Sequence, residues 1–136
     1  SLSVKRIDHI AIVVPNVEDA TGFYEDALGL KVEHVEQVDS QEVIVAFLPT
    51  GQSEIELLEP MGDASPILKF LERNPDGGIH HVCYEVDDIV AARDRMKAQG
   101  ARVLGSGEPR IGAHGKPVLF LHPKDFCGTL VELEQV

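Results

Sequence analysis

Three things are scarce in this sequence: long apolar runs, cysteines and positive charge. Apolar stretches such as residues 10–14 are far short of the ~20 residues that a membrane-spanning helix needs. The two cysteines, Cys83 and Cys127, have no C-x-x-C spacing of the kind found in zinc and redox sites, so we expect reduced thiols. Twelve basic residues stand against 23 acidic ones, and the formal net charge of −11 argues against nucleic acid and anionic membrane surfaces as partners.

The composition that remains is typical of a folded domain. Hydrophobic residues make up 43% of the chain and charged residues 26%, and 136 residues are enough for one domain with a hydrophobic core. We therefore predict a single domain over residues 1–136. The first residues lack the apolar core of a signal peptide, so we expect a cytoplasmic protein, or one of the mitochondrial matrix if a presequence has been removed.

An internal repeat organises the chain. The segment DHIAIVV at residues 8–14 has its counterpart in HHVCYEV at residues 80–86, which makes His9 and His81 equivalent. Each segment leads into a helical pattern. The predicted N-caps are Asn16 and Asp88, and the predicted helix ends are at Gly29 and Gly100.

Strand-like runs follow each helix in the same order. They lie at residues 31–38, 43–48 and 54–58 in the first half and at 102–104, 118–121 and 130–134 in the second. The closing runs contain IEL and VEL, so Glu56 and Glu132 are also equivalent. We predict module one at about 5–62, a linker with a short helix at about 63–77, and module two at about 78–136.

The two histidines and two glutamates predict a metal site. Side chains alternate between the faces of a strand, so each glutamate points away from its apolar neighbours, and burying it is costly unless it is paired. A pseudo-twofold between the halves would bring two imidazoles and two carboxylates to one point. Such nitrogen and oxygen donors suit divalent cobalt, manganese, nickel, iron or zinc. The predicted ligands are His9, Glu56, His81 and Glu132.

Five motifs resemble those of the methylmalonyl-CoA epimerases of the vicinal oxygen chelate superfamily, and the resemblance covers nearly the whole chain. The motifs are IDHIAI at residues 7–12, IELLEP at 55–60, GGIHHV at 77–82, IGAHGKPV at 111–118, and FLHPKD at 120–125 leading to LVELE at 130–134. The resemblance implies an α+β fold in which two βαβββ modules form a curled, barrel-like mixed sheet around the metal. It also implies a homodimer.

The activity implied by the resemblance is interconversion of (R)- and (S)-methylmalonyl-CoA, a step of propionate metabolism. Proton removal at C2 would pass through a metal-stabilised enolate, with Co²⁺ expected first and Mn²⁺, Ni²⁺ or Zn²⁺ as alternatives. Epimerisation needs an acid/base group on each face of the α-carbon, for which we predict Glu132 and, on the other face, Glu56. Some family members carry the second glutamate on the strand equivalent to residues 43–48, but here that strand is apolar.

A glycine-rich cationic segment follows the second helix. We predict that it receives the substrate carboxylate or the CoA phosphates, although no phosphate-cradling pattern is present. The candidate substrate-binding residues are Arg110, His114, Gly115, Lys116 and Lys124.

Three other functions compete with this interpretation. A glyoxalase I-type lactoylglutathione lyase would use the same metal arrangement on a glutathione hemithioacetal. A metal-free ligand-sequestering protein of the same fold would generally lack the four ligands. An extradiol dioxygenase would need a longer chain and a further histidine or tyrosine in the site.

Overall fold

The computed structural model describes residues 4–136, and the first part of that range follows the order βαβββ. Strand β1 is followed by helix α1, which ends at a left-handed Gly29, and by three further strands. The elements are β1 Val4–Val13, α1 Val17–Leu28, β2 His34–Val38, β3 Val43–Pro49 and β4 Glu54–Pro60.

The second part repeats this order after a short helix. Helix α2 occupies Leu68–Arg73, within the linker at about 63–77 for which a short helix was predicted. The elements after it are β5 Gly78–Val86, α3 Ile89–Ala98, β6 Arg110–Ile111, β7 Pro117–Leu121 and β8 Leu130–Gln135. Among residues 4–136, no helix combines the length and the apolar character needed to cross a bilayer.

Both predicted N-caps are confirmed. The Asn16 side chain accepts a hydrogen bond from the Asp19 N–H at 2.8 Å, and the Asp88 side chain accepts one from Ala91 at 3.0 Å. Each satisfies a backbone donor that the first helical turn would otherwise leave without a partner. Gly100, at φ +93°, directly follows the C-cap of α3.

Two predicted strands differ from the structure. The run at 31–38 becomes a strand only from His34. The run at 102–104 is not a strand, because it contributes a single antiparallel bridge between Val103 and Leu121. Here the Arg102 N–H is taken by the Asp125 carboxylate at 2.9 Å, so this donor is not available to a strand ladder.

The chain divides into two units, and β1 belongs to both. The first unit is residues 9–80, where the strand order is β2-β3-β4-β1 and β1 pairs in parallel with β4. Its core packs α1 against the sheet through residues such as Val17, Leu48 and Leu57.

The second unit comprises the start of β1, up to Asp8, together with residues 81–136. Its strands follow the order β1-β5-β8-β7-β6, and β5 pairs in parallel with β8. The core of this unit contains Ile89 and Ala92 of α3 packed against Leu121 and Leu133.

Candidate active site

In the first unit, a histidine and a glutamate lie side by side on one face of the sheet. Ala11 of β1 is the register partner of Glu56 on β4, and His9 lies two residues before Ala11, so all three share a face. His9 Nδ1 is 3.3 Å from Glu56 Oε2. The two residues are 3% and 7% exposed, so this polar pair is buried.

The second unit contains the same arrangement. Cys83 of β5 is the register partner of Glu132 on β8, and His81 lies two residues before Cys83. His81 Nε2 is 3.1 Å from Glu132 Oε1, and both residues are buried. The internal repeat of the sequence is therefore a repeat of strand register as well.

An aromatic residue accompanies each glutamate. Phe47 of β3 lies opposite Glu56, and Phe120 of β7 lies opposite Glu132. The Phe120 ring meets the His81 ring edge-on, with centroids 5.5 Å apart. The equivalent positions of these two aromatic residues beside the glutamates were not predicted from the sequence.

The donor chemistry of both pairs fits a divalent metal. Each pair offers one imidazole nitrogen and one carboxylate in a buried setting, where an ionised carboxylate is costly without a cation or proton close by. Borderline divalent ions accept both donor types, and a carboxylate in such a site can also move a proton.

Comparisons with known proteins identify the family. The family described as the Glyoxalase/Bleomycin resistance protein/Dioxygenase superfamily matches residues 8–120. The chain is also 60% identical over 133 residues to the ethylmalonyl-CoA/methylmalonyl-CoA epimerase of Cereibacter sphaeroides, covering 98% of this chain and 99% of that protein. This chain belongs to the methylmalonyl-CoA epimerase family.

Solved structures of this epimerase family share the fold. The Mycobacterium tuberculosis methylmalonyl-CoA epimerase superposes with a TM-score of 0.86 at 33% identity, covering 99% of this chain and 90% of that one. A variant of the Streptomyces coelicolor methylmalonyl-CoA epimerase, in complex with 2-nitronate-propionyl-CoA, gives 0.85 at 37% identity, covering 98% and 95%. The predicted vicinal oxygen chelate fold is confirmed.

Four of the five candidate substrate-binding residues lie on one hairpin, residues 110–117, which we call the β6–β7 hairpin. Arg110 is exposed on β6, Gly115 adopts a left-handed φ of +75°, and Lys116 directly precedes β7. The side chain of His114, by contrast, is 26% exposed and turns back towards the sheet. Lys124 lies apart from the hairpin, exposed in the 3-10 turn Pro123–Asp125.

A polar network around two buried glutamates of the second unit, Glu85 and Glu134, was not predicted. Arg6 Nη2 lies 3.1 Å from Asp8 Oδ1 and 3.0 Å from Glu85 Oε2, while His114 Nδ1 lies 2.9 Å from Glu134 Oε2. The signal was present in the sequence, because Glu134 follows Glu132 at the spacing of one strand face, as Glu85 follows Cys83.

Cys83 lies close to Glu132 of the His81–Glu132 couple and to the carboxylates of Asp8 and Glu134. Its side chain is fully buried, and one ligand atom from each of Asp8, Cys83 and Glu134 lies within 4.8 Å of the others. Burial raises the pKa of the Cys83 thiol far above its ordinary value, and the Glu132, Glu134 and Asp8 carboxylates raise it further. The residue is therefore a neutral thiol beside Glu132, consistent with both cysteines being free.

Proposed function

We propose that this protein interconverts (R)- and (S)-methylmalonyl-CoA by removing the C2 proton on one face and returning it on the other. The observation that carries the proposal is the pair of buried His–Glu couples at equivalent register positions, in a chain of the methylmalonyl-CoA epimerase family. Epimerisation needs one proton carrier on each face of the α-carbon, and the repeat supplies one carboxylate in each half.

The proposed ligands of a divalent metal are His9, Glu56, His81 and Glu132. Their support is the donor chemistry, the burial of all four residues and the His–Glu distances of 3.3 and 3.1 Å within the two couples. When bound, the cation would supply Lewis-acid stabilisation of the negative charge that develops on the thioester oxygen. We propose Co²⁺ first, with Mn²⁺, Ni²⁺ and Zn²⁺ as alternatives.

The carboxylates are the proposed proton carriers. Glu132 serves one face of the α-carbon and Glu56 the other, and each carboxylate lies beside the imidazole of its own couple, at 3.1 and 3.3 Å. The strand from Val43 to Pro49 contains no carboxylate that could replace Glu56 in this role. The neutral Cys83 thiol beside Glu132 adds no further charge.

The β6–β7 hairpin is the proposed receiver of the substrate's negative charge. Arg110 and Lys116 bring two cations to it in a chain whose formal net charge is −11, so they would provide local attraction for an anionic acyl-CoA. The Cereibacter sphaeroides relative is named for ethylmalonyl-CoA as well. A substrate with one more methylene is therefore included in the test.

The decisive assay is deuterium uptake at C2 of methylmalonyl-CoA, and in parallel of ethylmalonyl-CoA, in D₂O, followed by mass spectrometry with each metal supplied in turn. We expect rapid metal-dependent exchange of both enantiomers in the wild type. Glu132→Gln should slow exchange by a factor of about 10² or more for the enantiomer whose proton Glu132 removes, and Glu56→Gln should do so for the other enantiomer. The matched control is Glu36→Gln, whose carboxylate is exposed beside His34. Absence of exchange above background, together with formation of lactoylglutathione, would replace this proposal by a glyoxalase I activity.

Assembly and location complete the proposal. Large apolar side chains are exposed on α1 and on the β6–β7 hairpin, with Phe23 at 71% and Ile111 at 68%, which supports the homodimer implied by the family resemblance. Two free cysteines support a reducing compartment, the cytoplasm or a mitochondrial matrix, where methylmalonyl-CoA turnover would serve propionate metabolism. Sedimentation velocity of the metal-loaded protein tests the homodimer.

A further inference from the structure

Glu134 is among the most deeply buried charged residues of the second unit, at 2% exposure. Its Oε2 lies 2.9 Å from His114 Nδ1, whereas among residues 4–136 its Oε1 has no hydrogen-bond partner. A buried carboxylate needs compensation, and here the imidazole of His114 provides it.

The surroundings of Glu134 make this contact selective. Two of the neighbouring carboxylates, Asp8 and Glu85, are both bound to Arg6 at 3.1 and 3.0 Å. The same His114 nitrogen is 3.9 Å from Asp8 Oδ2, beyond hydrogen-bond distance. His114 Nδ1 is therefore within hydrogen-bond distance of Glu134 and not of Asp8.

His114 belongs to the tip of the β6–β7 hairpin, which is tightly closed. The Gly112 N–H donates to the Lys116 carbonyl at 2.9 Å, and the Gly115 N–H donates to the Gly112 carbonyl at 3.0 Å. A Cβ at position 112 would meet the Val118 side chain at 2.8 Å, so the turn at Gly112 packs closely against β7. Fixing His114 therefore fixes the position of Lys116 two residues later.

We propose that His114 and Glu134 form a latch that ties the β6–β7 hairpin to β8 and so positions it for the acyl-CoA substrate. His114 is then a positioning residue, which revises its expected role as a direct substrate contact. The latch rests on the proposed function. It adds a structural connection between the hairpin and β8, the strand that carries Glu132.

The kinetic test compares epimerisation by Glu134→Leu, His114→Ala and the double variant. Each single variant should raise KM roughly tenfold while kcat stays within about twofold, and the double variant should be no worse than either single one, because all three break the same contact. Glu134→Gln keeps an acceptor for His114 and should restore most of the binding. The matched control, Glu36→Leu, removes an exposed carboxylate that also neighbours a histidine and should leave KM unchanged.

Three kinetic outcomes would overturn the latch. A fall in kcat with unchanged KM would make His114 a proton carrier. A rise in KM in His114→Ala but not in Glu134→Leu would restore direct substrate contact. Additive losses in the double variant would show that the two residues act independently.

Hydrogen exchange separates failure of the latch from failure of the proposed function. The Gly112 and Gly115 amides, which the hairpin hydrogen bonds protect, should exchange at least severalfold faster in Glu134→Leu than in the wild type and in Glu36→Leu. This hydrogen-exchange measurement does not depend on the enzyme's being active. Unchanged protection in a folded Glu134→Leu variant would refute the latch even if the enzyme is an epimerase.

Discussion

Replacing Gly77 by alanine should lower the free energy of unfolding by about 2–5 kcal/mol, from two contributions that the structure allows to be separated. Gly77 adopts φ +91°, and an added Cβ would overlap the carbonyl oxygen of Val13 and approach the Val14 Cα to 3.4 Å. The left-handed backbone costs a residue with a side chain about 1–2 kcal/mol. The overlap, which backbone atoms cannot avoid by changing rotamer, adds about 1–3 kcal/mol.

Gly51 provides the matched control, because it has the same φ of +91° and nothing lies within 4 Å of an added Cβ. Gly51→Ala should therefore show only the backbone cost. Urea unfolding followed by circular dichroism measures both variants. With an m-value of about 2 kcal/mol per molar urea, the midpoint of Gly77→Ala should lie about 0.5–1.5 M below that of Gly51→Ala. Equal midpoints for the two variants would refute the argument that a Cβ at position 77 overlaps the carbonyl oxygen of Val13.

Two further predictions concern ionisable groups. Iodoacetamide at pH 8 should modify Cys127 alone in the native protein and both cysteines in denaturant. The reason is that burial, and after it the Glu132 carboxylate, raises the pKa of the Cys83 thiol. Labelling of both thiols in the native protein would contradict this prediction. The Arg102 guanidinium, hydrogen-bonded to Asp125, lowers the pKa of that carboxyl to about 2, so the stabilisation should be complete above the usual pKa of 3.8 and lost as pH falls towards about 2. Thermal midpoints of wild type and Asp125→Asn should accordingly differ at pH 5 and converge near pH 2, and a gap independent of pH would contradict the assignment.

The sequence predicted those features that depend on residues close together in the chain. Asn16 and Asp88 cap their helices as expected, because an N-cap depends on atoms three residues away. The equivalence of the two His–Glu couples was also visible, since strand periodicity places a lone glutamate among apolar residues on a definite face.

What could not be predicted depends on partners distant in sequence. The run at 102–104 has strand composition, but the Asp125 carboxylate takes the Arg102 N–H and the guanidinium together. The contact of His114 with Glu134, 20 residues away in the sequence, gave no signal of its own, because it depends on the pairing of β7 with β8. Tertiary contacts of this kind override composition.

The division of β1 between two units has a consequence for synthesis of the chain. Residues 9–80 are complete as soon as they have left the ribosome, whereas the unit with Glu132 joins Arg6 to Glu85 and needs the last strand, Leu130–Gln135. Domains fold as units during translation, and contacts across a long stretch of chain form slowly. The segment that contains Arg6 must therefore wait for residues 130–135 before its unit can fold, and the unit that carries Glu132 is the later of the two to form.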